Sequence, residues 1–176
     1  MKSVLISINP KFVDKIVSGE KTIEVRKTAP KEVPFKAYIY CSYGDMKTNY
    51  YLTGRGKVIG EFICDKVYNL VNAFGGIVFA DENLNQLEPQ LFRDMSCLTD
   101  EQTADYLGNK DGYGWHISDL KIYDKPKELN EFCIPCKTNC EDCKKPLFYD
   151  CWKEKGKIKV VTRPPQSYMY VEDVKQ

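Results

Sequence analysis

Asn9 and Pro10 stand between a β-branched run and an amphipathic one, and this junction constrains the fold more than any other feature of the chain. The run Ser3-Val4-Leu5-Ile6-Ser7-Ile8 has the short, β-branched character of a buried strand. Asn9 then caps a helix and Pro10 fills its first position, where a missing N–H costs nothing. Phe12, Val13, Ile16 and Val17 recur at helical spacing, with Lys11, Asp14, Lys15 and Ser18 on the opposite side. Gly19 ends the helix, and residues 21–27 alternate, with Ile23 and Val25 on one face and Thr22, Glu24 and Arg26 on the other. The chain therefore opens as strand, helix, strand. Strict alternation puts Lys21 and Glu24 on opposite faces; only an irregular start after Gly19 brings both to one side.

Beyond residue 27 the pattern is mainly β. Residues 28–35 hold Pro30 and Pro34 and read as a loop, whereas residues 36–43 alternate Ala37, Ile39 and Cys41 against Tyr38, Tyr40 and Ser42 as a strand. Residues 44–56 are polar and read as a loop. Residues 57–68 resume strand character, with Gly60 marking a bulge or a close backbone approach. Between residues 70 and 96 the periodicity is poor, and residues 71–76 together with the acidic stretch after them suggest one short helix. Thr99 and Gln102 form a capping box for a helix ended by Gly108, and residues 115–123 read as a further strand.

A chain of 176 residues suits one domain with an appended lobe. No run approaches the roughly 18 apolar residues of a membrane helix, and Met1-Lys2-Ser3-Val4-Leu5-Ile6 is too interrupted for a signal peptide, so the expected location is cytoplasmic, with no membrane partner. The 26 basic and 25 acidic side chains nearly cancel, which excludes a global field drawing the chain onto nucleic acid. Their distribution is uneven. Residues 81–111 carry eight acids against Arg93 and Lys110, and residues 144–163 carry seven bases against Asp150 and Glu154, which permits a basic face.

Five of the eight cysteines fall between Cys133 and Cys151. With no secretion signal, such clustering argues for metal rather than disulfides. Cys136, Cys140, Cys143 and Cys151 supply four thiolates, and a zinc ion about 2.3 Å from each is satisfied tetrahedrally with no open position. Cys133 offers a competing pair with Cys136, and an iron–sulfur cluster is the alternative occupant. The inner spacing resembles the structural zinc lobe of medium-chain alcohol dehydrogenases, with one residue more in the first gap. Such a metal is structural, so chemistry belongs elsewhere. Cys41, Cys64 and Cys97 adjoin apolar runs and read as small core residues. The expected organisation is a main domain of residues 1–130 and 157–176, with residues 131–156 inserted as a zinc-binding lobe.

Gly19-x-Lys21-x-x-Glu24-x-Arg26 resembles the Gly-x-Lys-x-x-Glu-x-Arg signature of the ASCH domain, a branch of the PUA-like superfamily. Residues 113–120 and 162–172 are similar to stretches of phage- and prophage-encoded ASCH proteins. The resemblance implies an α+β, mainly β fold: a small PUA-like barrel with short flanking helices, the metal-binding lobe inserted before the last strands, and a cleft beside the first helix. It further implies binding of RNA, a nucleotide or a modified base. In the branch that hydrolyses N4-acetylcytidine a threonine nucleophile stands where this chain has Glu24, and a carboxylate does not replace an activated hydroxyl.

The side chains suggest their own chemistry. Lys21 and Arg26 suit a phosphate or a polarised carbonyl, and Glu24 suits an exocyclic amine or general-base work, which makes Lys21 and Glu24 the candidate catalytic pair. Tyr38, Tyr40, Tyr43, Trp115 and Tyr168 are candidate stacking surfaces, and Ser42 and His116, the sole histidine, are candidate ligand contacts. Binding ranks first, since it needs only complementary placement. A ribonuclease or modified-nucleoside hydrolase is the alternative, and a phage accessory protein that sequesters a nucleotide or a host protein is the third.

Overall fold

A computed structural model describes residues 1–44, 54–73, 76–81, 83–108, 110–135 and 160–173. Strand β1 (Ser3–Ile8) leads through Asn9 into helix α1 (Pro10–Val17), where the Asn9 side chain accepts from the Lys11 N–H as a cap and Gly19 turns the chain at φ +79°. Strand β2 (Ile23–Arg26) follows, then β3 (Phe35–Cys41), so the expected strand–helix–strand opening is present.

Residues 57–68 do not make one strand. They divide into β4 (Val58–Cys64) and β5 (Val67–Ala73), and β5 folds back on β6 (Gly76–Ala80) as a hairpin where a helix was expected. The β-branched content of Val67, Val71, Ile77 and Val78 prevailed over a weak helical spacing. Helices α2 (Pro89–Ser96) and α3 (Asp100–Leu107) come next, the latter with the predicted Thr99–Gln102 capping box and Gly108 at its end. The expected strand at residues 115–123 is likewise two, β7 (Gly112–His116) and β8 (Ser118–Lys127), broken at Ile117. A short 3₁₀ helix (Leu129–Glu131) and the short strands β9 (Phe132–Cys133), β10 (Tyr168–Tyr170) and β11 (Glu172–Asp173) complete the described elements.

The strands form a five-stranded sheet in the order β10-β1-β3-β4-β8, a four-stranded sheet in the order β2-β7-β5-β6, and the pair β11-β9. Among the described residues the sheets do not close into a barrel, which corrects the small barrel expected above while leaving the mainly β composition. The break at Ile117 is the reason. There the chain leaves the four-stranded sheet for the five-stranded one, Ile117 N–H donating to Thr22 O at 2.8 Å and Asp119 turning at φ 46°. A strand that switches sheets makes a corner between two layers instead of continuing one closed surface.

Three apolar clusters hold the layers together. Between the sheets, Val4, Ile6, Ile8, Ala37 and Ile39 meet Trp115, with Val13 and Ile16 of α1 filling the same space. On the far side of the five-stranded sheet, Leu5, Tyr38 and Tyr40 pack with Phe132, Val161 and Val171. On the far side of the four-stranded sheet, Ile23 and Val25 pack with Phe79, Phe92 and Leu107, so α2 and α3 cover that face. Sealing a side chain of this size from water contributes roughly 1.5–3 kcal/mol, and both faces of β3 share in it.

Gly60 sits at the predicted irregularity: the register of β4 against β3 slips between Ile39 and Tyr40, leaving Ile59 as the extra residue. A methyl group on Gly60 would lie 2.5 Å from the Lys121 carbonyl of β8, so the strand pair needs glycine there. Among the described residues no helix is long and apolar enough to cross a membrane.

Candidate functional site

Lys21 reaches the interior because regular strand has not yet begun. After Gly19, residues 20–22 are held by bonds to helices and loops, Lys21 N–H donating to Lys15 O at 2.9 Å and Thr22 N–H to Met95 O at 2.8 Å, and β2 starts only at Ile23. The irregular start that the motif required is therefore present. Its Nζ donates to Ser96 O at the end of α2 (2.7 Å), lies 3.4 Å from Glu24 Oε2 and stands 5.1 Å from the centroid of the Phe12 ring. The Lys21 side chain is 1% exposed. Burial lowers its pKa from the usual 10.5, although the Glu24 carboxylate opposes the shift.

Glu24 and Arg26 project from the other face of β2 to Ile23 and Val25. Glu24 Oε1 forms an ion pair with Arg26 Nη2 at 3.0 Å, so one carboxylate lies between two cations. The same Nη2 donates to Ser7 O of β1 at 2.7 Å, and Nη1 reaches Ser167 O at 3.5 Å. Side-chain exposure is 9% for Glu24 and 5% for Arg26. The charges at this helix–strand corner are thus a buried ion network. Such a network is stable only when geometry and hydrogen bonds offset desolvation.

The network forms the floor of a cleft of about 400 Å³ between α1, β2 and α3. Its walls hold residues that sequence reasoning did not single out: Lys11 and Phe12 from α1, and Gln102, Asp105 and Tyr106 from α3. Phe12 belongs to the apolar helix face, yet its ring lies beneath two ammonium groups, Lys11 at 4.6 Å and Lys21 at 5.1 Å. On α3, positions 102, 105 and 106 share one side by helical spacing, while Thr103 and Leu107 turn inward and are buried. That spacing was available in the sequence, but nothing there placed α3 beside β2. The Tyr106 ring is 40% exposed, with Lys27 Nζ 5.4 Å from its centroid. Its hydroxyl end turns toward Arg26 and Glu24, and burial of that end pushes the phenol pKa up.

Lys21, Glu24 and Arg26 are brought together; the other candidate ligand residues are placed elsewhere. Tyr40 is 3% exposed in the cluster behind the five-stranded sheet, as is Tyr38. Trp115 lies opposite Glu24 across β2 and β7 but is sealed between the sheets, edge-on to Phe35 and to Tyr168. Ser42 donates its N–H to Ile8 O and Tyr43 is exposed, neither lining the cleft. His116 pairs with Asp65, Nδ1 to Oδ1 at 2.7 Å. Burial disfavours the Asp65 charge, but hydrogen bonds from His116, the backbone and Ser118, with the His116 charge, together outweigh it and hold the carboxyl below its usual range. A larger groove of about 500 Å³, lined by Met1, Ile134, Met169 and Tyr170 among others, contains none of the motif residues.

Cys136, Cys140, Cys143 and Cys151 lie outside the described residues, as does the basic stretch 153–159. Among the described residues no three His, Cys, Asp or Glu side chains gather as a metal site. Cys133 belongs to β9, buried, with its thiol directed to Glu172 O at 3.5 Å. Cys41 and Cys64 are core residues as expected, and burial raises their thiols to about 11 and about 12. Cys97 is half-buried and instead ends α2 in a left-handed conformation at φ 53°.

Two packed sheets with a helix–strand corner at the cleft define a mainly β fold. The particular fold is that of ASCH: the chain is similar to the crystal structure of ASCH from Zymomonas mobilis, with TM-score 0.56 and 19% identity over 97% of this chain and 88% of that one. A tyrosine-to-phenylalanine variant of the same protein matches with TM-score 0.55 and 18% identity, over 98% and 91% of the two chains. A serine-to-alanine variant gives TM-score 0.55 and 18% identity, over 97% and 89%. No family model and no curated protein matches the sequence.

Proposed function

We propose that the protein binds RNA or a modified nucleotide, taking one base into the cleft between α1, β2 and α3. The observation that carries this reading is the Lys21–Glu24–Arg26 network at the floor of a concavity of nucleotide size, walled by Phe12 and Tyr106. Ligand sites of this kind join apolar walls to a few fixed polar groups, and aromatic rings beside cations suit an unstacked base. An ASCH-like fold agrees with the reading. Mass spectrometry of what co-purifies with the protein, followed by titration of the identified oligonucleotide or nucleotide, tests it. Tyr106→Ala should weaken binding while leaving the melting temperature within a few degrees. Unchanged affinity in Tyr106→Ala and Lys11→Gln would remove the cleft from consideration.

One observation favours catalysis as a second reading. A buried lysine with a lowered pKa, beside a carboxylate and at the base of a cleft, has the character of a general base. A ribonuclease that cleaves by internal transesterification takes its nucleophile from the 2′-hydroxyl of its own substrate, so that route requires no protein nucleophile. Purified protein should then cleave RNA but not DNA, and Lys21→Met should abolish cleavage. Equal cleavage by Lys21→Met excludes the role.

We further propose that Cys136, Cys140, Cys143 and Cys151 hold a structural zinc ion. Elemental analysis should find one zinc per chain, lost together in variants of those cysteines; a metal-free, folded protein contradicts it.

A further inference from the structure

With the nucleotide reading of the cleft as its premise, we propose that Arg26, and not Lys21, receives a phosphate oxyanion of the ligand, so that the cleft selects phosphate-bearing nucleotides over neutral nucleosides. The two cations differ in what they have left to donate. The Lys21 ammonium carries three N–H bonds, and three partners surround it: Ser96 O, Glu24 and the face of Phe12. An incoming oxyanion would have to displace one of them.

Arg26 carries five N–H donors. Nη2 is engaged by Ser7 O at 2.7 Å and by Glu24 at 3.0 Å. Nη1 has Ser167 O at 3.5 Å, the outer limit of a hydrogen bond, and the buried Nε finds no acceptor among the described residues. A buried donor left unmatched is costly, and a guanidinium presents such donors in a fork that fits phosphate oxygens.

Charge points the same way. Two cations share one carboxylate, which leaves one positive charge in excess on the cleft floor. The remaining hydrogen-bond partners, Ser96 O, Ser7 O and Ser167 O, are neutral carbonyls. Of the acids that line the cleft, Glu24 is already divided between both cations and Asp105 is exposed at the rim. Tyr106, with its hydroxyl end at Arg26 and its ring partly in solvent, is the side chain that must shift to admit the oxyanion.

The test follows the Arg26 Nε–H resonance by nitrogen-15 NMR, assigned through its loss in Arg26→Lys, during titration of the full chain. Probes are inorganic phosphate, the four nucleoside 5′-monophosphates, the four nucleosides, and a short RNA without terminal phosphates. Monophosphates should bind about tenfold or more tightly than nucleosides and move the Nε–H resonance. A shift caused by the RNA as well assigns the oxyanion to the backbone, and a shift by monophosphates alone assigns it to a terminal phosphate. Arg26→Lys, which keeps the charge and removes the fork, should shrink the preference to about twofold. Nucleosides binding as tightly as monophosphates overturn the proposal and leave the nucleotide reading standing. A saturating monophosphate that leaves Nε–H unmoved overturns it too, and this arm needs no variant to fold. If no nucleotide, nucleoside or RNA binds while inorganic phosphate still moves the resonance, the nucleic-acid premise fails and the oxyanion site at Arg26 remains.

Discussion

The Arg26 guanidinium donates to the Ser7 carbonyl across 2.7 Å, and this bond joins the second strand of the motif to the first strand of the other sheet. Ser7 belongs to β1 of the five-stranded sheet and Arg26 to β2 of the four-stranded one. A side chain that a sequence assigns to ligand binding is therefore also a link between layers. Arg26→Met should destabilise the protein by about 3 kcal/mol, the lower end for a broken buried pair, because Lys21 still balances Glu24. Urea unfolding measures it through a lower midpoint at unchanged slope.

Glu24→Gln should cost more than Arg26→Met. It removes the single carboxylate between two buried cations 3.4 and 3.0 Å away, leaving Lys21 and Arg26 facing each other without an anion. The expected loss is about 5 kcal/mol, the upper end for such a change. The ranking of the two variants under identical urea conditions is the check; the reverse order would show that Glu24 contributes little to holding the cations.

Lys21 predicts a pH dependence whose sign is fixed by burial. Its folded pKa lies below the usual 10.5, so just below that value the unfolded chain holds a proton that the folded chain has released. Stability linked to this group therefore rises with pH through the window beneath 10.5, where the unfolded state binds more protons. The stability of wild type relative to Lys21→Met should increase as the pH rises toward 10.5. A flat difference would mean that Lys21 titrates alike in both states.

Gly60→Ala tests the bulge. Its new methyl would meet the Lys121 carbonyl at 2.5 Å, a backbone atom that cannot swing aside. Destabilisation of about 1–3 kcal/mol is expected, as for other overpacked sites. Gly76→Ala, with open space around the position, is the control and should change stability by less than about 1 kcal/mol.

How much of this was legible in the sequence depended on whether the decisive contacts were local. The Asn9 cap, the Thr99 capping box, the Gly60 bulge and the β1–α1–β2 unit follow from residues within a few positions of one another, and each is present. Strand ends at Cys64, Val67 and Ile117 were missed because they are set by a change of sheet, which leaves no local mark beyond uninterrupted β character. The aromatic candidates failed for a related reason. Alternation placed Tyr38 and Tyr40 correctly on one face of β3, but only tertiary packing shows that this face is also buried. Tyr106 and Phe12 reach the cleft because α1 and α3 flank β2, a long-range arrangement invisible to spacing.

The cross-sheet bond of Arg26 also bears on what a ligand would transmit. β1 sits between β10 and β3 in its sheet, and β2 is an edge strand of the other. Any anion that draws the guanidinium outward tugs on the Ser7 carbonyl and so on an interior strand of the five-stranded sheet. Occupancy of the cleft should then be readable from the opposite layer, as slower exchange of the β1 amides with solvent when the grip tightens and faster exchange when it slackens. The fold in effect gives the pocket a mechanical readout some distance from the ligand.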